Sequence, residues 1–221
     1  MKHNKPWSLT STILHTWKKL VRMQIKAILW DFSGVLFMSK YGLGHEYYAE
    51  LMGIPNDILQ SFFDGDMNRL VDLGEISHED FYRTLLKELN LSEDMLPLFS
   101  ESFRKAFKLN LRIIEYIQSL PESIKIGLLS NYSNRLRPLI EEDLEIAHLF
   151  DDMVISCEVK LLKPDEKIYQ TALSRLNVEA EEAIFVDDRL ENIEGAQKVG
   201  MHGVLFTETK QVINEINHLL S

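Results

Sequence analysis

Three short apolar runs constrain the fold of this chain more than any other feature of its sequence. They read IKAILW (25–30), IKIGLLS (124–130) and EAIFVD (182–187), and none alternates strictly between apolar and polar residues. Strands that are covered on both faces show this pattern, because neither face needs polar side chains. We therefore predict three buried parallel strands, with two weaker strands at 152–156 and 203–206.

Amphipathic helical stretches lie between the later runs, at about 110–120, 133–142, 165–177, 190–199 and 208–220. Strands that alternate with helices at this spacing are typical of a doubly wound parallel sheet. The fold class that we expect is therefore α/β, with a Rossmann-like core.

The segment 39–108 does not follow this alternation. It carries several helical patterns and no convincing strand, and in two places, SHED and SEDM, a serine precedes an acidic first turn. Such serines are good helix N-caps. We predict a helical cap over 39–108, inserted after the first strand, and a core built from 23–38 and 109–221. A cap at this point would lie over the carboxyl ends of the strands, where open α/β sheets bind ligands.

Composition excludes several classes of protein. The formal net charge of −10 argues against nucleic-acid binding, which needs clustered Lys and Arg. The single cysteine, Cys157, allows no intrachain disulfide and favours a reducing, cytoplasmic location. No apolar run reaches the roughly 18 to 20 residues of a membrane helix. Residues 1–22 stand apart; we interpret them as a leader or loosely attached segment, with a membrane-surface helix as the alternative.

Polar residues follow the predicted strands at four places along the chain. These are Asp31 after the first strand, Ser130 and Asn131 after the second, Lys163 ahead of a helix, and Asp187 with Asp188 after the third. Two adjacent carboxylates at the end of one buried strand repel each other unless a cation joins them. A carboxylate nucleophile, a Mg²⁺ ion, a hydroxyl and an ammonium group together suit phosphoryl transfer.

The motifs ILWDFSGVL, GLLSN, LLKPDEKIYQTAL and IFVDDRLENIEGAQKVGM occur in this order between residue 25 and about 206. In this the sequence resembles the haloacid dehalogenase superfamily of hydrolases, most of whose members are Mg²⁺-dependent phosphatases. GEISHEDFYRTLLKEL and SNYSNRLRP are similar to the sugar phosphatases with a small helical cap, the glucose-1-phosphate phosphatases among them. The resemblance implies a small phosphorylated metabolite as substrate and Mg²⁺ as cofactor. From the charge and the lengths of the apolar runs we expect neither a nucleic acid nor a membrane as partner.

The resemblance also implies a role for each site residue. Asp31 would be the nucleophile and a metal ligand, and the backbone carbonyl of Ser33 a second ligand. Asp188 would bind Mg²⁺ directly and Asp187 through water.

The remaining roles concern the phosphoryl group and the support of the metal site. Ser130 would bind a phosphoryl oxygen, with Asn131 beside it, and Lys163 would neutralise both Asp31 and the phosphoryl group. Asn192, one helical turn after Asp188, would orient that carboxylate.

Ser33 departs from the pattern of most phosphatases of this superfamily, which have at this position a second aspartate that acts as general acid and base; the resemblance implies that the sugar-1-phosphate phosphatases also lack it. A hydroxyl is too weak an acid for this role, whose loss costs about 10² to 10⁴ in rate. One solution is a leaving group that is already a weak base, such as a sugar 1-phosphate offers. The other is a proton donor from the cap, for which the candidates are His45, Glu46, Asp64, Asp66 and His78.

Two alternatives stay open at this point. A 2-haloacid dehalogenase would use Asp31 to attack carbon without a metal, although the pair Asp187–Asp188 suits a divalent cation better. A catalytically weak protein of this fold could instead bind a phosphorylated ligand or regulate a partner, and only the missing acid supports this reading.

Overall fold

The computed structural model of this 221-residue chain describes residues 24–39, 44–99 and 106–221. The strands in these ranges are β1 (Ala27–Trp30), β2 (Phe37–Ser39), β3 (Phe107–Leu109), β4 (Lys125–Ser130), β5 (Asp152–Ile155), β6 (Ala183–Asp187) and β7 (His202–Leu205). The helices with defined bounds are α1 (Gly44–Met52), α2 (Asn56–Phe63), α3 (Asp66–Asp72), α4 (His78–Glu88), α5 (Leu111–Ser119), α6 (Leu136–Pro138), α7 (Ser156–Val159), α8 (Glu166–Leu176), α9 (Leu190–Lys198) and α10 (Thr209–Leu220).

Five strands form one parallel sheet in the order β5-β4-β1-β6-β7. β1 lies at its centre, where Trp30 pairs with Leu128 of β4 and Val186 of β6. Every residue of β1 is fully buried because a hydrophobic cluster covers each face of the sheet. The predicted doubly wound α/β fold is confirmed, and each predicted strand is found within two residues of its expected bounds.

The segment that we assigned to the cap has a hydrophobic cluster of its own. Its buried members all lie between residues 49 and 99: Ala49, Leu59, Val71, Phe81, Tyr82, Leu85, Leu86 and Phe99. Ser77 caps α4 as the SHED pattern predicts, since its Oγ accepts a 3.0 Å hydrogen bond from the backbone N–H of Asp80. Residues 49–99 are therefore packed largely around themselves.

Two local predictions were wrong. β2 and β3 form an antiparallel ribbon where the cap segment leaves and rejoins the core, although we expected no strand within 39–108. Strands of three residues are too short to show a periodic pattern. The predicted helix 133–142 is a single turn, α6, followed by a π-helical turn, Leu139–Asp143. Pro138 has no backbone N–H to donate, so a regular helix is not sustained there.

Within the described ranges, the structure has no helix that is both long and apolar enough to span a membrane. The predicted leader, residues 1–22, lies outside the described part of the chain.

Candidate active site

Asp31 is the first residue after the central strand β1. Its backbone N–H donates a 2.9 Å hydrogen bond to the carbonyl of Val186, which continues the pairing with β6. The chain then turns, and the N–H of Gly34 donates to the carbonyl of Phe37 at 2.9 Å. Ser33 is exposed in this turn, whereas Asp31 is buried. The fold therefore places a carboxylate at the carboxyl edge of the sheet, where the strand pairing ends.

Lys163 joins two of the predicted site carboxylates. Its Nζ lies 2.8 Å from Oδ1 of Asp31 and 2.6 Å from Oδ2 of Asp187. Burial by itself lowers the pKa of Lys163, but the charges and hydrogen bonds of the two carboxylates outweigh this and raise it. The ammonium group therefore stays charged and screens two acids that would otherwise repel each other.

Asn131 holds the loop that carries Lys163. Its Oδ1 accepts a 2.8 Å hydrogen bond from the N–H of Lys163, and its Nδ2 donates a 3.0 Å hydrogen bond to the carbonyl of the same residue. The contact that the structure shows for Asn131 is thus with the backbone of Lys163. Its contact with a phosphoryl oxygen stays a prediction.

Asn192 contacts a different acid from the one that we expected. Its Nδ2 donates to both carboxylate oxygens of Asp187, at 3.0 and 3.1 Å, and not to Asp188. The N–H of Arg189 donates a further 2.8 Å hydrogen bond to Oδ1 of Asp187. The spacing along the chain could not separate two adjacent acids. The fully buried one needs these donors, because an unpaired buried carboxylate is costly.

Asp188 points back toward the turn that follows β1. A Cβ atom added to Gly34 would collide with its Oδ2, so the side chain occupies space that only glycine leaves open. Ligand atoms of Asp31, Asp187 and Asp188 lie within 4.8 Å of one another. Three carboxylates and one ammonium leave a net charge of minus two, which a hard divalent cation would balance. The donor set therefore fits such a cation.

Ser130 ends β4 beside this acidic cluster. Its hydroxyl is fully buried, and no partner for Oγ is found within the part of the chain that the structure describes. A buried polar group is normally hydrogen-bonded, so an unpartnered hydroxyl at the end of a strand suits a ligand oxygen.

The structure gives no contact between the described candidates for a proton donor from the cap and this acidic cluster, so their role stays a prediction. Glu46, Asp64 and Asp66 are exposed, and the side chain of His45 lies outside the described part. Burial, assisted by the charge of Arg135, lowers the pKa of His78 to about 4, so its ring is neutral at neutral pH.

One acid of the cap, Asp72, has an environment that resembles that of an active-site residue, and sequence reasoning did not identify it. Burial raises the pKa of Asp72 to about 7, although the charges of Lys163 and Arg189 act against this rise. Asp72 is the last residue of α3. An acid at the C-terminal end of a helix is electrostatically unfavourable, and this was the signal available in the sequence.

A comparison of the sequence with protein-family models agrees with this geometry: the model of haloacid dehalogenase-like hydrolases matches residues 28–206. The chain belongs to this family. The match covers the sheet, the cap segment and all the site residues described above, so the predicted family is confirmed and the protein is a hydrolase of the haloacid dehalogenase type.

Curated relatives of this haloacid dehalogenase-like chain include two phosphatases. A sesquiterpene phosphatase of Aspergillus oryzae is 25% identical over 88% of this chain and 96% of its own length. A phosphatase of Mycobacterium tuberculosis is 27% identical over 86% of this chain and 90% of its own length. Other relatives are longer: a drimenol cyclase of Aspergillus calidoustus is 24% identical over 88% of this chain, which spans only 36% of that protein.

Solved structures of the haloacid dehalogenase type share the fold. A family hydrolase from Porphyromonas gingivalis superposes with a TM-score of 0.74 at 21% identity, over 89% of this chain and 98% of that one. A family enzyme from Bacteroides thetaiotaomicron, solved as an Asp-to-Ala mutant in complex with magnesium and inorganic phosphate, has a TM-score of 0.68 at 18% identity, over 82% and 93%.

Proposed function

We propose that this protein is a Mg²⁺-dependent phosphomonoester hydrolase that acts through an aspartyl-phosphate on a small phosphorylated metabolite. The observation that carries the proposal is the position of Asp31, hydrogen-bonded to Lys163 and within 4.8 Å of the ligand atoms of Asp187 and Asp188. Two phosphatases among the full-length relatives support it, and so does the magnesium and phosphate complex of the structural neighbour.

Each site residue has its own role in the proposed reaction. Oδ1 of Asp31 is hydrogen-bonded to Lys163, which leaves the other carboxylate oxygen to attack phosphorus. Burial, together with the charges of Asp187 and Asp188, raises the pKa of Asp31, and Lys163 opposes this rise and favours the carboxylate. Ser130 Oγ would donate to a phosphoryl oxygen. Asp188, the carbonyl of Ser33 and Asp31 would hold Mg²⁺, which when bound adds positive charge beside the phosphoryl oxygens.

The attack forms a bond from Asp31 to phosphorus and breaks the bond from phosphorus to the ester oxygen, which leaves as the alcohol after taking up a proton. Water then attacks phosphorus and loses a proton, which releases inorganic phosphate and the Asp31 carboxylate. Sugar 1-phosphates are the substrates that this site would cleave with the least help, because their leaving oxygen is a weaker base than that of an alkyl phosphate.

The haloacid dehalogenase alternative is less well supported, since a charge-neutral halide pocket has no need of three clustered carboxylates. A panel of phosphorylated metabolites, including a sugar 1-phosphate and glycerol phosphate, assayed with Mg²⁺ or with EDTA, tests the proposal. We expect turnover that requires Mg²⁺ and that falls by more than about 10³-fold in Asp31→Asn, the scale seen when a covalent nucleophile is removed. Asp57→Asn, an exposed change in the cap, is the matched control.

The result that contradicts the proposal is halide release from a 2-haloacid in EDTA, with no phosphate released from any member of the panel. Wild-type turnover in Asp31→Asn would equally remove Asp31 as the nucleophile.

A further inference from the structure

The cap is attached to the core at the C-terminal end of α3. Ser156 Oγ donates a 2.5 Å hydrogen bond to the backbone carbonyl of Asp72, and it accepts a 2.9 Å hydrogen bond from the N–H of Tyr132. Ser156 follows β5 and Tyr132 lies two residues after the end of β4. One buried hydroxyl therefore fixes the main chain of Asp72 to the same edge of the sheet that carries Asp31.

The turn after α3 adds a second attachment. Lys160 Nζ donates a 2.7 Å hydrogen bond to the carbonyl of Gly74, and a Cβ atom at Gly74 would lie only 2.7 Å from the carbonyl oxygen of Cys157. The N–H of His78 donates to Oδ1 of Asn134 at 3.4 Å. The cap main chain is thus held on the core on both sides of this turn.

The carboxyl group of Asp72 accepts a 3.4 Å hydrogen bond at Oδ2 from Nδ2 of Asn68, one turn earlier in α3, and lies within electrostatic range of charged groups of the active site. The charges that act on it belong to Lys163, Arg189 and Asp31, which come from three different loops around the acidic cluster. On the elements that pack against α3, burial raises the pKa values of Tyr132 and Cys157, so both are neutral at pH 7. The charged groups of α7 and its end are engaged elsewhere: Glu158 with Arg137, and Lys160 with Gly74.

We propose that Asp72 supplies the proton donor and acceptor that Ser33 cannot provide. The inference rests on the proposed phosphatase function and assigns the missing role to a residue of the cap. Burial keeps a large fraction of this carboxyl group protonated near neutral pH, which is the state that a general acid needs.

The proton balance closes over one turnover. As Asp31 bonds to phosphorus, the ester oxygen leaves and takes the proton of the Asp72 carboxyl, which gives the alcohol and the Asp72 carboxylate. In the second step water attacks phosphorus and gives a proton to that carboxylate, and the bond between phosphorus and Asp31 breaks. Inorganic phosphate, the Asp31 carboxylate and the protonated Asp72 are recovered.

Two aryl phosphates that differ in their leaving group test this assignment in Asp72→Asn. Nitrophenolate leaves without a proton, so we expect 4-nitrophenyl phosphate to give a rapid burst of about one equivalent and then turnover slowed by about 10² to 10⁴. The phosphoenzyme should accumulate, as measured by acid quench. Phenyl phosphate needs the proton and should give a slow reaction without a burst. Glu75→Gln, an exposed neighbouring change, should behave as the wild type.

Rescue separates a chemical role from a structural one. Ser33→Asp in the Asp72→Asn background should restore the breakdown of the phosphoenzyme at least about tenfold, because it returns an acid to the usual position. Two results would overturn the assignment: wild-type rates in Asp72→Asn, or an equal loss of phosphoenzyme formation with both substrates. A different outcome would refute the proposed function: the wild type forms no phosphoenzyme, and Asp31→Asn turns over phosphate esters at the wild-type rate.

Discussion

The turn after β1 depends on the absence of a side chain at Gly34. Its φ of +81° lies in the left-handed region that glycine adopts readily, and the carboxylate of Asp188 occupies the place of a Cβ atom. Gly53 also has a positive φ, +64°, but nothing lies within 4 Å of its virtual Cβ. Substitutions at the two glycines therefore separate the effect of backbone strain from the effect of a clash with the Asp188 side chain.

We predict that Gly34→Ala displaces Asp188 and lowers kcat/KM by about 10² or more, because the cation site loses a direct ligand. Gly53→Ala should cost only the backbone strain of about 1 to 2 kcal/mol and keep its activity. Thermal unfolding with and without Mg²⁺ provides a second measurement: Gly34→Ala should lose the shift in Tm that Mg²⁺ gives. A Gly34→Ala protein with full activity would show that Asp188 is not needed where the structure places it.

Single residues show where sequence reasoning stops. The position of Asp31 after a buried strand could be read from the apolar run before it. The partner of Asn192 could not, because two adjacent acids are equally distant along the chain and only burial selects Asp187. Asp72 was missed because its environment is made by Ser156 and other residues that are distant in the sequence.

At the scale of elements, the hydroxyl group of Ser156 attaches the C-terminal end of α3 to the edge of the sheet that carries Asp31. Ser156 is fully buried, and its Oγ also contacts the carbonyl of Tyr132 at 3.3 Å. Removing it leaves the part-buried N–H of Tyr132 and the carbonyl of Asp72 without this partner, which costs about 1 to 3 kcal/mol.

We predict that Ser156→Ala lowers kcat by about tenfold or more in addition to this loss of stability, because the main chain of Asp72 loses its attachment to the edge of the sheet that carries Asp31. Ser92→Ala is the control, since the hydrogen bonds given for its Oγ are exposed: it accepts from the N–H of Asp94 at 3.3 Å and donates to Oδ2 of Asp94 at 3.1 Å. Urea denaturation and steady-state kinetics measure the two effects. Unchanged kcat in a destabilised Ser156→Ala protein would mean that this contact serves the fold alone.

The elements themselves were predictable to different degrees. The strands of the sheet were visible because each is a continuous apolar run buried on both faces. The ribbon of β2 and β3 was not, because Phe37 and Phe107 stack at a ring distance of 5.5 Å only after the chain has returned from the cap. A contact of that kind leaves no local pattern in the sequence.

At the scale of the whole molecule, the half-buried acid Asp72 links stability to pH. The pKa of Asp72 rises on folding from its ordinary value of 3.8 to about 7. Between these two values the folded protein binds more protons than the unfolded chain, so the free energy of unfolding falls as the pH rises from about 4 to 7. The stability that this group gives is therefore present in acid and lost above pH 7.

We predict that Asp72→Asn flattens this dependence, by at most about 1.4 kcal/mol per pH unit for one proton, and is more stable than the wild type at pH 8. Urea denaturation at pH 5, 6, 7 and 8 in EDTA compares the two proteins, with Glu75→Gln as the control. Parallel curves for wild type and Asp72→Asn would show that this acid has an ordinary pKa. A variant that gains stability as it loses catalysis would mark Asp72 as a site where function costs stability.

The ribbon of β2 and β3 has an evolutionary consequence. It brings the two ends of the inserted helical unit side by side, so that unit can be lengthened, shortened or exchanged without changing the register of the sheet. The family pattern instead places this acid in the core, at the position of Ser33. With Asp72 as the acid, the exchangeable unit would carry both the choice of substrate and the proton donor and acceptor. A descendant that exchanged this unit for a new substrate would lose the proton donor and would need to acquire another.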